Sequence, residues 1–321
     1  MAGTYSHISL VYSLIRDTNL LDSKDYLDQS LKRWLMTHEK FCELGAVSPD
    51  YPYMALLDEE SAGWANVMHY WKTTEFVRNA VDFLKEMDWN QIETQRCIVW
   101  LFGYTAHLIT DLTIHPVVEL RVGPYAQNKT DHRRCELYQD NFIFHEVGLG
   151  DIIRAEYVRD CGIRDCGAVN DRKKLYPALA ELWMKCLGQV SLTEAKNQLQ
   201  VTVPTQPPKP DKWHKAFVKI ADKVMEEGGS FPPLSRHILE HEALVYTDRS
   251  EIDMSYVENL EVPGGARKHY REVFEEARKN VLNGWNELGR ALVGQDRNLF
   301  TVRNGDLDTG RDQEGKLIYW V

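Results

Sequence analysis

Apolar residues recur three and four positions apart along most of the chain, the pattern of helices with one buried face. Residues 5–15 begin polar and turn apolar, which predicts a buried helix. Tyr26, Leu27, Leu31, Trp34 and Leu35 predict another over 23–40, with Ser23 or Asp25 as its N-cap. Residues 73–88 place Phe76, Val77, Ala80, Val81 and Leu84 on one side and open on a Thr cap. A long central helix is expected over 90–115, through Cys97, Ile98, Leu101 and Tyr104, with Pro116 ending or kinking it. Another should start near His132, capped by Thr130 or Asp131. Further helices are expected at 173–188, 211–227, 234–246 and 266–293.

Between them, Gly45, Pro49 and Pro52 mark 41–53 as a loop, and Gly123 and Pro124 mark another over 121–131. Residues 202–210 are a proline-rich connector. From Leu299 onward the character changes. Asn304-Gly305 and Thr309-Gly310 are turn signals, and Lys316 to Val321 is strand-like, so a small β-hairpin or an extended arm is expected. The fold class is all-α, a multi-helix bundle. It is expected to comprise a helical core over 1–200 and a helical extension with a terminal arm over 201–321, either separate or in one domain with the core.

The central helix carries His107-Leu-Ile-Thr-Asp111-Leu-Thr-Ile-His115-Pro116. Four residues advance a helix by about 400°, so each polar residue is offset only about 40° from the last. Two imidazoles and a carboxylate on one stripe of a buried helix need partners, and a metal ion is the simplest one. His132 and Glu136 repeat the spacing, with Arg133 and Arg134 expected to point elsewhere. His7 starts the first helix, Asp50 lies in a stiff segment between two prolines, and His69 precedes two aromatics. Alone, each reads as readily as a surface His, a turn residue or a core His. Together these eight side chains could hold two or three ions at about four ligands each, counting bridges and water. A ligand set without thiolates suits zinc ahead of manganese or iron. His237 and His241 read as a solvated helix face. Tyr53, Tyr70, Trp71 and Tyr104 are aromatics near these residues, for which core packing is the simplest account.

Net charge is −10 over 321 residues, which argues against a general polyanion binder and against a stable nucleic-acid complex. A nuclease whose positive charge comes from its metals stays open. No basic-then-apolar leader opens the chain and no run of about 18 apolar residues is visible. The expected location is the cytoplasm, or outside the cell by a non-classical route. The six cysteines are spread out and are expected to be free thiols.

Ser6-His7-Ile8, Leu44-Gly45-Ala46-Val47-Ser48-Pro49-Asp50, His69-Tyr70, Gly103 to Asp111, His115-Pro116, and His132 with Glu136 together resemble the zinc-dependent phospholipase C family, related in fold to S1/P1-type nucleases. The resemblance implies that Asp50, His69, His107 and Asp111 hold one zinc and that His115, His132 and Glu136 hold a second. It implies that His7 helps hold a third, with Asp111 as a bridge. The spacing from Asp111 to His115 is shorter than in the secreted members. The implied activity is phosphodiester hydrolysis of a glycerophospholipid by a metal-bound hydroxide, with transient contact to a membrane surface and Asp50 as general base or water-orienting group. The alternatives are an S1/P1-type nuclease or other phosphohydrolase, and a non-catalytic protein stabilised by metal.

Overall fold

The long apolar run after Gln91 leaves little polar surface for solvent, so the helix it forms must be enclosed. In the computed structural model, which describes residues 3–17, 27–55, 57–150, 152, 162–227 and 246–320, it is the axis of the bundle. In chain order the helices are α1 (Thr4–Ile15), α2 (Gln29–Thr37), α3 (Glu39–Val47), α4 (Glu59–Tyr70), α5 (Thr73–Lys85), α6 (Ile92–Val122), α7 (Lys129–Glu146), α8 (Pro177–Gly188), α9 (Leu192–Gln198), α10 (Pro210–Glu227) and α11 (Tyr270–Val293). Among the described residues the strands are two short antiparallel pairs, β1 (Gly167–Ala168) with β2 (Asp171–Leu175) and β3 (Leu260–Glu261) with β4 (Arg267–Lys268). The class is all-α, as the periodicity implies.

Helix α6 is buried from Cys97 to Val118. Its length and apolarity would suffice to cross a membrane, and its most apolar stretch lies wholly inside the bundle. The tightest packing is with α3. A Cβ on Gly45 would fall 2.1 Å from the Trp100 carbonyl oxygen, and one on Gly103 would fall 1.9 Å from that of Cys42. The two glycines therefore let two backbones touch, which is why Gly45 lies inside a helix and not in the loop its presence suggested. Helix α11 packs along another side of α6, where the Trp285 indole donates to the Phe102 carbonyl at 2.8 Å.

Pro116 does not end α6, which continues to Val122. Residues 173–175, expected to open a helix, belong to β2, and α8 starts only at Pro177. Asp28 caps α2, while the expected Ser23 and Asp25 caps lie outside the described residues, as do His237, His241, Cys161 and nearly all of the helix expected at 234–246. Helix α7 starts at Lys129 without a side-chain cap, so neither Thr130 nor Asp131 has that role. Helix α5 is not capped by its own threonine. Asn304, far along the chain, accepts from the Thr74 N–H at 2.9 Å. The proline-rich connector runs along α4: Trp64 donates to the Gln206 carbonyl, and Thr205 and Gln206 N–H groups donate to Glu60. The final stretch makes isolated antiparallel bridges, Asp306 to Arg311 and Arg311 to Leu317, and forms an extended arm. Cys42, Cys97, Cys135, Cys166 and Cys186 are buried free thiols.

Candidate metal centre

Four packed helices and one tight turn bring the eight candidate ligands into the core, each at most 3% exposed. His7 comes from the first turns of α1. That end is pinned by α7, where the Asp140 carboxylate accepts from the Tyr5 and Ser6 N–H groups at 3.1 and 2.8 Å and from the Tyr246 hydroxyl at 2.7 Å. A carboxylate at a helix N-terminus complements its unpaired N–H groups. Burial still pushes the Asp140 carboxyl up to about 6. Asp50 lies in a 3₁₀ turn over Ser48–Met54. Ser48 anchors its start by donating to the Leu44 carbonyl at 2.7 Å and accepting from the Trp100 indole at 2.8 Å. His69 ends α4, and α7 presents His132 and Glu136 one turn apart.

Three groups result, each with its ligand atoms within 4.8 Å of one another: Asp50, His69 and His107; His7, His107 and Asp111; His115, His132 and Glu136. His107 belongs to two of them. Asp111 lies between groups, with Oδ1 3.2 Å from His7 Nε2 and 3.6 Å from His115 Nε2, and Oδ2 3.2 Å from His107 Nε2. The His7 and His107 rings stack at 4.0 Å.

The outer nitrogens set the tautomers. His69 Nδ1 donates to the Ala65 carbonyl at 2.7 Å, His107 Nδ1 to the Ala46 carbonyl at 2.8 Å, and His115 Nδ1 to the Leu307 carbonyl. A carbonyl can only accept, so Nδ1 carries the proton and Nε2 presents a lone pair inward. The five imidazoles among the candidate ligands all leave Nε2 without a hydrogen-bond partner. His69 Nε2 stands 3.0 Å from Asp50 Oδ1, yet neither atom makes a hydrogen bond. Two acceptors that close repel unless a cation lies between them. An unpartnered buried polar atom costs about 1–3 kcal/mol, so five imidazoles would be a heavy loss without an ion. The donor set is imidazole nitrogen and carboxylate oxygen without sulfur, which fits zinc.

The electrostatics agree with a cation site. Burial opposes ionisation of Asp111, but His115, His107 and His7 outweigh it and hold its carboxyl well below the usual range. Burial acts on Glu136 in the same way, and His132 and Arg133 help to bring it below the ordinary value. Burial pushes the His115 imidazole down to about 4, so it is neutral and able to coordinate at neutral pH. Burial and the neighbouring His107 lower His7. At His107 burial is outweighed by Asp111, and the value rises.

Arg133 does not point away: it is buried and its guanidinium lies 3.4 Å from Glu136 Oε2, while Arg134 pairs with Asp131 on the surface. Tyr104 stacks on Phe76 at 4.2 Å and Trp71 is buried, so both are core. Tyr53 and Tyr70 flank His69, each with its ring centroid 6.1 Å away. Sequence reasoning gave no role to Asp140, one turn after Glu136, or to the backbone of Leu307. The turn-by-turn spacing His132, Glu136, Asp140 was the available signal for the first, and none existed for a main-chain carbonyl.

Fold and site define a class: a helical bundle whose core gathers imidazoles and carboxylates in three groups able to hold divalent cations. Residues 6–192, more than half of the chain, match the family described as zinc dependent phospholipase C, and the chain belongs to that family. No curated protein and no solved structure matches the chain.

Proposed function

We propose that this protein is a zinc-dependent phosphodiester hydrolase of the phospholipase C type, which releases a phosphorylated headgroup from a glycerophospholipid. The observation that carries the reading is the set of buried, unpartnered Nε2 atoms of His7, His69, His107, His115 and His132 gathered around Asp50, Asp111 and Glu136, in a chain of that family. Asp50, His69 and His107 would hold one ion, His115, His132 and Glu136 a second, and His7, with His107 and Asp111, a third. Bound cations supply Lewis acidity, which lowers the pKa of water from about 15.7 toward ~7 and neutralises phosphoryl oxygens.

The chain's own groups do the rest. Asp50 is held on a rigid turn and serves as a ligand. Its carboxylate is also the group placed to orient an attacking water or accept its proton. Asp111 joins the groups through both carboxylate oxygens. The carbonyls of Ala65, Ala46 and Leu307 hold the rings of His69, His107 and His115, so little reorganisation is needed when charge develops. Tyr53 and Tyr70, beside His69, are the aromatic groups closest to where a headgroup would lie.

The test is metal content together with hydrolysis of phosphatidylcholine vesicles and of single-stranded DNA, with and without a chelator. The expected result is two to three equivalents of zinc and chelator-sensitive release of headgroup from lipid. Asp50→Asn should lower kcat by about 10²–10⁴-fold. Cleavage of DNA alone would assign the nuclease chemistry instead. Bound metal with neither activity would leave a protein that uses its ions for stability only.

A further inference from the structure

The three orienting carbonyls do not have the same origin. Ala65 lies on α4, the same helix as His69, and Ala46 lies on α3, against His107. Both fall inside the family-matched residues 6–192. Leu307, which orients His115, lies far beyond them, in the C-terminal arm. Its N–H donates to the His69 carbonyl at 3.0 Å. One buried residue therefore touches ligand residues of two groups, through its two main-chain polar atoms. The neighbouring Asp308 accepts from the Tyr70 hydroxyl at 2.6 Å.

The arm has a built seat on α6. Pro116 has no N–H to give to the Leu112 carbonyl, so its turn of helix is short of a donor. Gly310 comes against that turn in a left-handed conformation, φ +67°, where a Cβ would lie 2.5 Å from Pro116 Cγ and 2.7 Å from the Leu112 oxygen. The Trp320 indole donates to the Thr113 carbonyl at 2.7 Å. Asp306 closes the loop between, accepting from the Asp308 N–H at 2.8 Å. The proline that follows His115 thus marks where the arm docks, one residue from the ligand it orients.

We propose that the C-terminal arm is a positioning element of the metal centre, in which the Leu307 backbone fixes the His115 ring and ties it to His69, so that the position formed by His115, His132 and Glu136 takes its ion only when the arm is seated. This rests on reading the three groups as metal sites. Leu307 touches no substrate and acts through His115. Removing the outer partner of a metal-bound imidazole typically costs about 10–100-fold in metal affinity.

Three variants of the full chain test it. Gly310→Ala wedges the arm off Pro116, Trp320→Phe keeps the ring but removes the indole N–H, and Lys316→Ala changes an exposed arm residue away from the seat. Zinc content is measured after dialysis against graded chelator, and the visible absorption spectrum is recorded on cobalt-substituted protein. Gly310→Ala should lose one equivalent at about 10–100-fold lower chelator than wild type, with Trp320→Phe between the two and Lys316→Ala unchanged. The cobalt spectrum should lose one component and retain the rest. Metal-free Trp320→Phe should still unfold in one cooperative transition, within about 1 kcal/mol of metal-free wild type, which separates positioning from loss of fold. Wild-type protein that binds zinc, with Gly310→Ala binding it equally well and with the same cobalt spectrum, overturns this proposal alone. Wild-type protein that binds no zinc overturns the proposed function and this proposal with it.

Discussion

Replacing Gly103 by alanine tests how directly packing sets the chemistry. The new Cβ would stand 1.9 Å from the Cys42 carbonyl oxygen, a main-chain atom that cannot rotate away, and real Cβ contacts under 3.0 Å essentially never occur. Helices α3 and α6 must therefore separate locally by more than an ångström. The His107 Nδ1 to Ala46 contact crosses the same seam, one turn along, at 2.8 Å. A similar displacement takes it to about 4 Å, beyond hydrogen-bond reach. Overpacking a core costs typically about 1–3 kcal/mol, and losing a buried hydrogen bond adds about 1 kcal/mol. The expected destabilisation is then roughly 2–4 kcal/mol. Chemical denaturation of the metal-free protein measures that figure. Zinc titration measures the second consequence, weakened binding at both groups that share His107. A Gly103→Ala protein within about 0.5 kcal/mol of wild type and with unchanged zinc affinity would refute the argument that this close contact positions the ligand.

Other outcomes can be stated from the same geometry. Asp111→Asn should lose metal from more than one position, because its carboxylate lies beside His7, His107 and His115, whereas His132→Ala should lose one equivalent; elemental analysis distinguishes them. Chelation should lower the thermal midpoint, since a ligand at 100 times its Kd adds about 2.7 kcal/mol. Asp140, its folded value raised by burial to about 6 against about 3.9 unfolded, favours the folded state fully only below pH 4. That contribution is lost as pH rises through 6. Wild type should therefore lose about 2 kcal/mol relative to Asp140→Asn between pH 4 and pH 7, measured by denaturant unfolding of the metal-free proteins at each pH.

Much of the centre was legible because helices convert spacing into facing. His107, Asp111 and His115 announce a stripe, and His132 with Glu136 a second one, without any knowledge of their partners. The helices themselves followed from apolar periodicity. What was not legible depends on contacts made across the chain. Gly45 reads as a loop until Gly103 is found opposite it. Pro116 reads as a helix end until Gly310 and Trp320 are found covering its turn. Thr73 and Thr74 read as a cap until Asn304 supplies one. Arg133 reads as pointing away from the His132 and Glu136 stripe until its guanidinium is seen 3.4 Å from Glu136, one turn along the same helix. For Gly45, Pro116 and Thr74 the missing term was a long-range partner, which local pattern does not contain.

The three candidate ligands on α6 make that helix a ruler. With about 1.5 Å of rise per residue, His107, Asp111 and His115 stand roughly 6 Å apart along the axis. Backbone hydrogen bonds set that graduation, and no side-chain change can alter it. Insertion of a single residue between Asp111 and His115 would turn everything beyond it by about 100°, carrying His115 away from His132 and the Pro116 seat away from the arm at one stroke. Separation between the candidate metal groups along this helix therefore comes in whole turns, and any finer adjustment has to be made on the helices that face α6.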